Sequence, residues 1–183
     1  MSEIKFGTSG WRAIIAEDFT FANVRRAVAG IARYVTDHHQ DGPPSLIVAR
    51  DPRFLGETCV EIASQVASCY GIRSLVGPEP APTPAIAFEI IRRRADGGIN
   101  FTASHNPPEW NGVKFSTPDG APALPEVTRE VERLILEAAP PPGVAPGATE
   151  TADLQAAYLQ DLRKKVDLDV IRQAGIQLAV DPL

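Results

Sequence analysis

The sequence predicts an α/β fold: a three-layer α/β/α sandwich around a mixed, mostly parallel sheet. Three observations lead there. Short continuous apolar runs, Leu46–Ala49 and Gly98–Phe101 among them, read as strands covered on both faces. Longer segments between them carry apolar residues at spacings of three and four, the period of a helix with one buried stripe. These two kinds of segment alternate, and strands joined through helices lie parallel to one another.

The elements follow in order. Thr20 is placed to cap a helix from Phe21 to about His38, with Phe21, Val24, Val28, Ile31 and Val35 forming its stripe. Asp41-Gly42-Pro43-Pro44 stops it, and Leu46–Ala49 follows as a strand. A second helix is expected from about Glu57 to Tyr70, burying Val60, Ala63, Val66 and Tyr70, with Gly71 as its C-terminal stop. Arg73–Val76 is the next strand. After the Pro-rich loop Gly77–Pro84, Thr83-Pro84 reads as N-cap and first residue of a helix running to about Arg94. The strand Ile99–Thr102 comes next, then a loop, a returning strand Val113–Ser116 and a helix from about Glu126 to Ala138. Asn111-Gly112 is a reverse-turn signal, so the return is antiparallel and the sheet mixed.

A first domain is expected over residues 1–150, ending in the Pro-rich linker around Pro140–Gly147. Residues 151–183 read as a helix over Asp153–Val166, a further turn or two at Val170–Ala174 and a strand Ile176–Val180. The expectation is a second domain cut short after its first strand, because an apolar strand needs neighbours to bury its faces.

Composition sets the class. The chain has 183 residues, 44% hydrophobic and 22% charged, with a net charge of −5. That acidic balance argues against a general nucleic-acid or anionic-membrane surface, though not against a local cationic pocket. No apolar run approaches the roughly 20 residues that cross a bilayer. The N-terminus lacks a signal-peptide core, so cytoplasm is the expected compartment. Cys59 and Cys69 lie on one predicted helix about 15 Å apart along its axis, too far for a disulfide.

The chemistry concentrates in Thr102-Ala103-Ser104-His105-Asn106-Pro107-Pro108, followed by Asn111-Gly112-Val113-Lys114-Phe115. Asn106-Pro107 ends the preceding strand, because proline lacks an amide donor and disfavours a helical residue before it. Ser104 then projects from a strand end, where ligand sites of open α/β sheets lie. The Asn111-Gly112 turn is expected to fold Lys114 back toward the Ser104 hydroxyl. A serine and a lysine held together suit nucleophilic catalysis or phosphoryl transfer with proton shuttling. No G-x-S-x-G elbow surrounds Ser104, which weighs against a serine hydrolase.

The pattern T-A-S-H-N-P with N-G-x-K resembles the active-site serine loop of the α-D-phosphohexomutases, the phosphoglucomutase/phosphomannomutase family. Phe6-Gly7-Thr8-Ser9-Gly10-Trp11-Arg12 resembles that family's N-terminal signature, in the right order and at the right separation. The resemblance implies an isomerase of carbohydrate metabolism that interconverts hexose 1-phosphate and hexose 6-phosphate through a phosphoserine and a bisphosphorylated sugar. It implies that Ser104 is the phosphoserine, Lys114 the general base and His105 a substrate or loop-ordering contact. Arg12 would hold the phosphoserine oxygens, with Thr8, Ser9, Asn106 and Arg53 as further phosphate or substrate contacts. For Arg53, an Asp51–Arg53 pair that merely stabilises the loop is an equal reading. For Asn106, fixing the turn is the preferred reading.

The resemblance also implies Mg²⁺, with only the Ser104 phosphate as its ligand from this chain, and a hexose 1,6-bisphosphate activator. The family's D-G-D-x-D-R metal loop, G-E-x-S-G-H sugar loop and R-x-S-G-T phosphate clamp do not occur in the sequence. Downstream domains of the same polypeptide are therefore the expected partners, and the chain alone is expected to be inactive. N-G-V-K points to the glucose/mannose enzymes. A phosphoglucosamine mutase and a non-catalytic phosphosugar-binding module are the alternatives.

Overall fold

The computed structural model describes residues 3–7, 10–137, 139 and 143–181. Its elements run β1 (Trp11–Ile14), α1 (Phe21–His38), β2 (Ser45–Arg50), α2 (Gly56–Cys69), β3 (Arg73–Val76), α3 (Thr83–Arg93), β4 (Gly98–Phe101), β5 (Trp110–Ser116), α4 (Pro125–Glu137), β6 (Thr149–Thr151), α5 (Ala156–Lys165) and α6 (Leu168–Gln173). The strands form one six-stranded sheet in the order β1-β5-β4-β2-β3-β6. Neighbours pair in parallel except where β5 runs against both β4 and β1. This is the expected three-layer sandwich on a mixed sheet.

The layers follow from side-chain alternation along the strands. Leu46, Val48, Ile99, Phe101, Val113 and Phe115 face the helices α1, α2 and α4, where Val24, Val28, Ile31 and Val35 supply the predicted stripe; Phe21, expected in it, is exposed at the first turn of α1. Burial of each such side chain contributes about 1.5–3 kcal/mol. On the opposite face Ile47, Ala49 and Leu75 pack against Ile86 and Ile90 of α3. Thr20 caps α1 as expected, its hydroxyl accepting from Asn23 N at 3.2 Å.

Four expectations need correction. Asn111 and Gly112 do not turn the chain; both are buried inside β5, paired with Ala13 and Arg12 of β1. The reversal occurs earlier, in 103–109, where Asn106 N donates to Ala103 O and Trp110 N to Pro107 O, each at 3.0 Å. Thr83 does not cap α3 either, since Pro82 takes the N-cap position and Thr83 is the first helical residue. The segment after the proline-rich run is more than linker. Gly147 N donates to Ser68 O of α2 and Ser68 Oγ donates to Gly147 O, β6 extends the sheet, and Ala152 and Leu154 are buried against the α3-side core. The boundary expected at 150 thus falls inside β6. Finally, Ile176–Val180 forms no strand: no described neighbour pairs with it, and Leu178 and Val180 are exposed. Two elements, β1 and β6, had no sequence counterpart. Both are short, and β6 lies between prolines and polar residues.

At the amino-terminal edge of the sheet, His39 joins α1 to two strands. Its Nδ1 lies 2.7 Å from Asp96 Oδ1 and its Nε2 2.6 Å from Gly42 O, while Asp96 Oδ2 accepts from Ser45 N at 2.8 Å. With an acceptor at each ring nitrogen, the charged imidazolium is favoured. The hydrogen bond to Asp96 raises the His39 pKa above its ordinary value of 6.5, against the opposing effect of burial. A raised folded-state pKa means the contribution is fully present below the unfolded value and is lost as pH rises through the folded one. Thermal melts across that window should show wild-type stability falling with rising pH, and His39→Gln should flatten the dependence. An unchanged slope in the variant would remove the linkage from His39.

Candidate active site

Ser104 stands past the carboxyl end of β4, exposed, with φ +56° in the left-handed region. For a non-glycine residue that conformation costs on the order of 1–2 kcal/mol and persists only where neighbours hold it. They do. Ser104 N donates to Thr102 Oγ1 at 3.0 Å, and Ser104 O accepts from Arg53 Nη2 at 3.0 Å. The hydroxyl itself is left outward, its nearest polar partner being His105 Nδ1 at 3.4 Å.

Arg53 holds the whole loop. Nη2 also donates to Asn106 O at 2.5 Å, while Nη1 donates to Pro107 O at 2.8 Å and to Trp110 O at 2.9 Å. Its Nε lies 3.4 Å from Asp51 Oδ2, and its own backbone N–H donates to Asp51 Oδ1 at 2.9 Å. A guanidinium has five N–H donors; the four on Nη1 and Nη2 are taken by these carbonyls, and Nε stands in an ion pair with Asp51. The residue's geometry is that of a loop template, the second of the two readings its sequence position allows. Asn106 likewise fixes the turn: its N–H, its carbonyl and its side-chain oxygen are all engaged within the protein.

Arg12 and Lys114 come from β1 and β5, the two successive strands on one side of β4. The sheet register sets Arg12 of β1, Gly112 of β5 and Thr102 in one row, and Lys114 of β5 opposite Asn100 of β4. All five lie on the α3-facing side. Arg12 Nη1 donates to Asn106 Oδ1 at 2.8 Å, bringing the guanidinium to the serine loop, while its Nε is buried without a partner among the described residues. Gly112 makes this row possible: a Cβ there would stand 2.6 Å from Trp11 O, 2.7 Å from Thr102 O and 3.0 Å from Arg12 Cγ. Gly10, at φ +89°, presses on Lys114 in the same way, its absent Cβ falling 2.4 Å from Val113 O and 2.9 Å from Lys114 Cγ. The structure brings Arg12, His105, Asn106 and Arg53 to Ser104. It sets Lys114 deeper on the same face, with no hydrogen bond to the serine. Thr8 and Ser9 lie outside the described residues.

Sequence reasoning missed Asn100, Thr83 and the spacer role of Gly112. The signal for the first was present: Ile99 and Phe101 on the core face leave Asn100 and Thr102 as polar residues on the other.

The fold is shared with known proteins. Residues 3–141 match the family profile described as phosphoglucomutase/phosphomannomutase, alpha/beta/alpha domain I. The chain belongs to this family. A phosphoglucomutase of Komagataeibacter xylinus is 30% identical over 98% of the chain and 36% of its own length. A phosphoglucosamine mutase of Corynebacterium glutamicum is 34% identical over 96% of the chain and 40% of its own length. The crystal structure of a Thermus thermophilus protein assigned as a phosphomannomutase superposes with a TM-score of 0.82 at 35% identity, covering 93% of this chain and 38% of that one. The chain thus spans well under half the length of these family members.

The described residues contain no group of three or more His, Cys, Asp or Glu that could hold a metal ion. On their own they do not fit Mg²⁺. Among the described residues no helix is long and apolar enough to cross a membrane.

Proposed function

We propose that this domain supplies the phosphoryl-carrying serine of a phosphohexomutase interconverting hexose 1-phosphate and hexose 6-phosphate of the glucose/mannose class. One observation carries the reading. Ser104 is exposed in a held left-handed turn at the carboxyl edge of β4, and two cationic side chains, Arg12 and Lys114, rise from adjacent strands on one face.

Phosphoryl transfer asks a protein mainly for positioning and charge stabilisation. A phosphoryl group on Ser104 would bring about −1.5 to −2 charge and strong acceptor oxygens. Arg12, already at the loop through Asn106, is placed to donate to those oxygens. Lys114 takes the proton of the attacking sugar hydroxyl as its oxygen bonds to phosphorus and the P–Oγ bond breaks. It gives the proton back when the bisphosphorylated sugar, bound the other way round, returns a phosphoryl group to Ser104. His105, beside Oγ, contacts the transferred group or the sugar. Thr8 and Ser9 complete the phosphate contacts in this reading. Mg²⁺, which neutralises phosphoryl charge, would draw one oxygen from the Ser104 phosphate and its other ligands from elsewhere in the polypeptide. A hexose 1,6-bisphosphate would load the serine.

The amino-sugar reading has its own support, because the Corynebacterium glutamicum relative named a phosphoglucosamine mutase is the more identical of the two cited above. Glucose 1-phosphate and glucosamine 1-phosphate assayed side by side separate the two. The central test is phosphopeptide mass spectrometry of the full-length polypeptide after incubation with glucose 1,6-bisphosphate. Phosphate is expected on Ser104 and none at that site in Ser104→Ala, which should also lose turnover. Phosphate elsewhere, or full turnover by the variant, would defeat the assignment.

A further inference from the structure

Lys114 raises a question that its neighbours answer. A flexible four-carbon stem ending in three rotatable donors must be aimed if it is to act on one hydroxyl, yet Lys114 makes no hydrogen bond or ion pair among the described residues. Gly10 confines the stem on the β1 side, where any Cβ would run into Lys114 Cγ and Cα. On the other side stands Asn100, directly opposite Lys114 in the β4–β5 register. Side chains paired in this way share a face, with Cβ atoms about 4.5–5.5 Å apart.

Asn100 is 6% exposed, and its Oδ1 is buried with no partner among the described residues. Its Nδ2 donates to Thr83 Oγ1 at 3.4 Å, in the first turn of α3, and this contact turns the oxygen away from the helix. Buried side-chain oxygens almost always have a partner, and an orphan calls for a physical account. A lysine can only donate. The amide is therefore presented the right way round for it.

We propose that Asn100 is the positioning residue for Lys114, its Oδ1 accepting one N–H of the side-chain amine so that the remaining valences face the Ser104 edge. This rests on the mutase reading for what Lys114 does, but not for where it is held. The amide is neutral, so it can orient the amine in both protonation states without an ion pair to keep it charged. With one N–H committed to Asn100, the free amine points its lone pair toward the hydroxyl it must deprotonate. Arg12 on β1, His105 and Glu109 in the serine loop and Arg53 packed against it are charged or titratable groups of the surrounding site elements, and none shares the β4 position opposite Lys114.

The test uses the 183-residue chain labelled with ¹³C at lysine. The two ε-protons of Lys114 are expected to be inequivalent, as for a fixed amine. Asn100→Leu should collapse them to the single signal of a freely rotating lysine. Asn100→Asp, which keeps the shape and guards against a folding defect in the first variant, should keep them apart. It should also slow reductive methylation of Lys114 by about tenfold or more, because an adjacent carboxylate favours the charged amine by about one pK unit or more. In the full-length polypeptide, Asn100→Leu should lower kcat with KM little changed. Degenerate ε-protons in the wild type, or methylation unaffected by Asn100→Asp, would overturn this inference alone. Failure of the mutase reading would show instead as missing phosphate on Ser104, with the NMR result intact.

Discussion

Lys114→Met is expected to lower kcat of the full-length polypeptide by roughly 10²–10⁴, the span a positioned general base contributes, with KM nearly unchanged. Methionine keeps the length and apolar contacts of the stem against Gly10 while deleting the amine. The loss therefore falls on proton transfer rather than on the packing of β5. Val113 and Phe115, on the other face of the strand, remain in the core, so Tm should move little. If Lys114 were only a phosphate contact, the same variant would raise KM at constant kcat, because it would have removed binding equal in ground and transition states. Steady-state kinetics with the glucose 1-phosphate assay distinguishes the two. Unchanged kcat with weakened binding would retire the general-base role.

How much of this was legible in the sequence depended on which forces placed each residue. Phe21–His38 was read nearly to the residue because its stripe, its Thr20 cap and its proline stop are all local signals. The serine loop was equally legible, since Asn106-Pro107 forbids both helix and continued strand. The Asn111-Gly112 reading failed because the same dipeptide serves two purposes. In a hairpin its glycine supplies a positive φ, whereas here Gly112 supplies the absence of a side chain between Trp11 O and Thr102 O. Only the tertiary neighbour β1 reveals that, and β1 is four residues long. Ile176–Val180 failed for the opposite reason: its pattern is that of a strand, but pairing is a property of two segments and no described segment pairs with it. Arg53 was placed at the right edge with an undetermined role. Counting its donors requires knowing where four backbone carbonyls converge, and no spacing rule encodes that.

Arg53 therefore carries the second large expectation. Arg53→Ala should cut kcat by about 10² or more, the scale of loss when a reacting group is misplaced by about an ångström. The side chain bonds the loop's carbonyls and makes no hydrogen bond to the Ser104 hydroxyl. It acts through the carbonyls of Ser104, Asn106, Pro107 and Trp110, which it draws toward one planar centre. Without it, the left-handed conformation of Ser104 loses one of its two holding bonds and keeps the one to Thr102. The loop can then relax toward ordinary backbone geometry and carry Oγ away from Arg12 and Lys114. Lysine offers three donors from a single nitrogen and cannot span the four acceptors, so Arg53→Lys should recover only part of the rate. Millimolar guanidinium added to Arg53→Ala should recover more, because it restores the planar donor set without the tether. Hydrogen exchange supplies a readout independent of chemistry: the amides of Asn106 and Trp110, which close the turn, should lose protection while those of β2 and β4 keep theirs. Full turnover in Arg53→Ala, or a rate loss matched by exchange throughout the sheet, would show that the loop does not depend on this guanidinium for its shape.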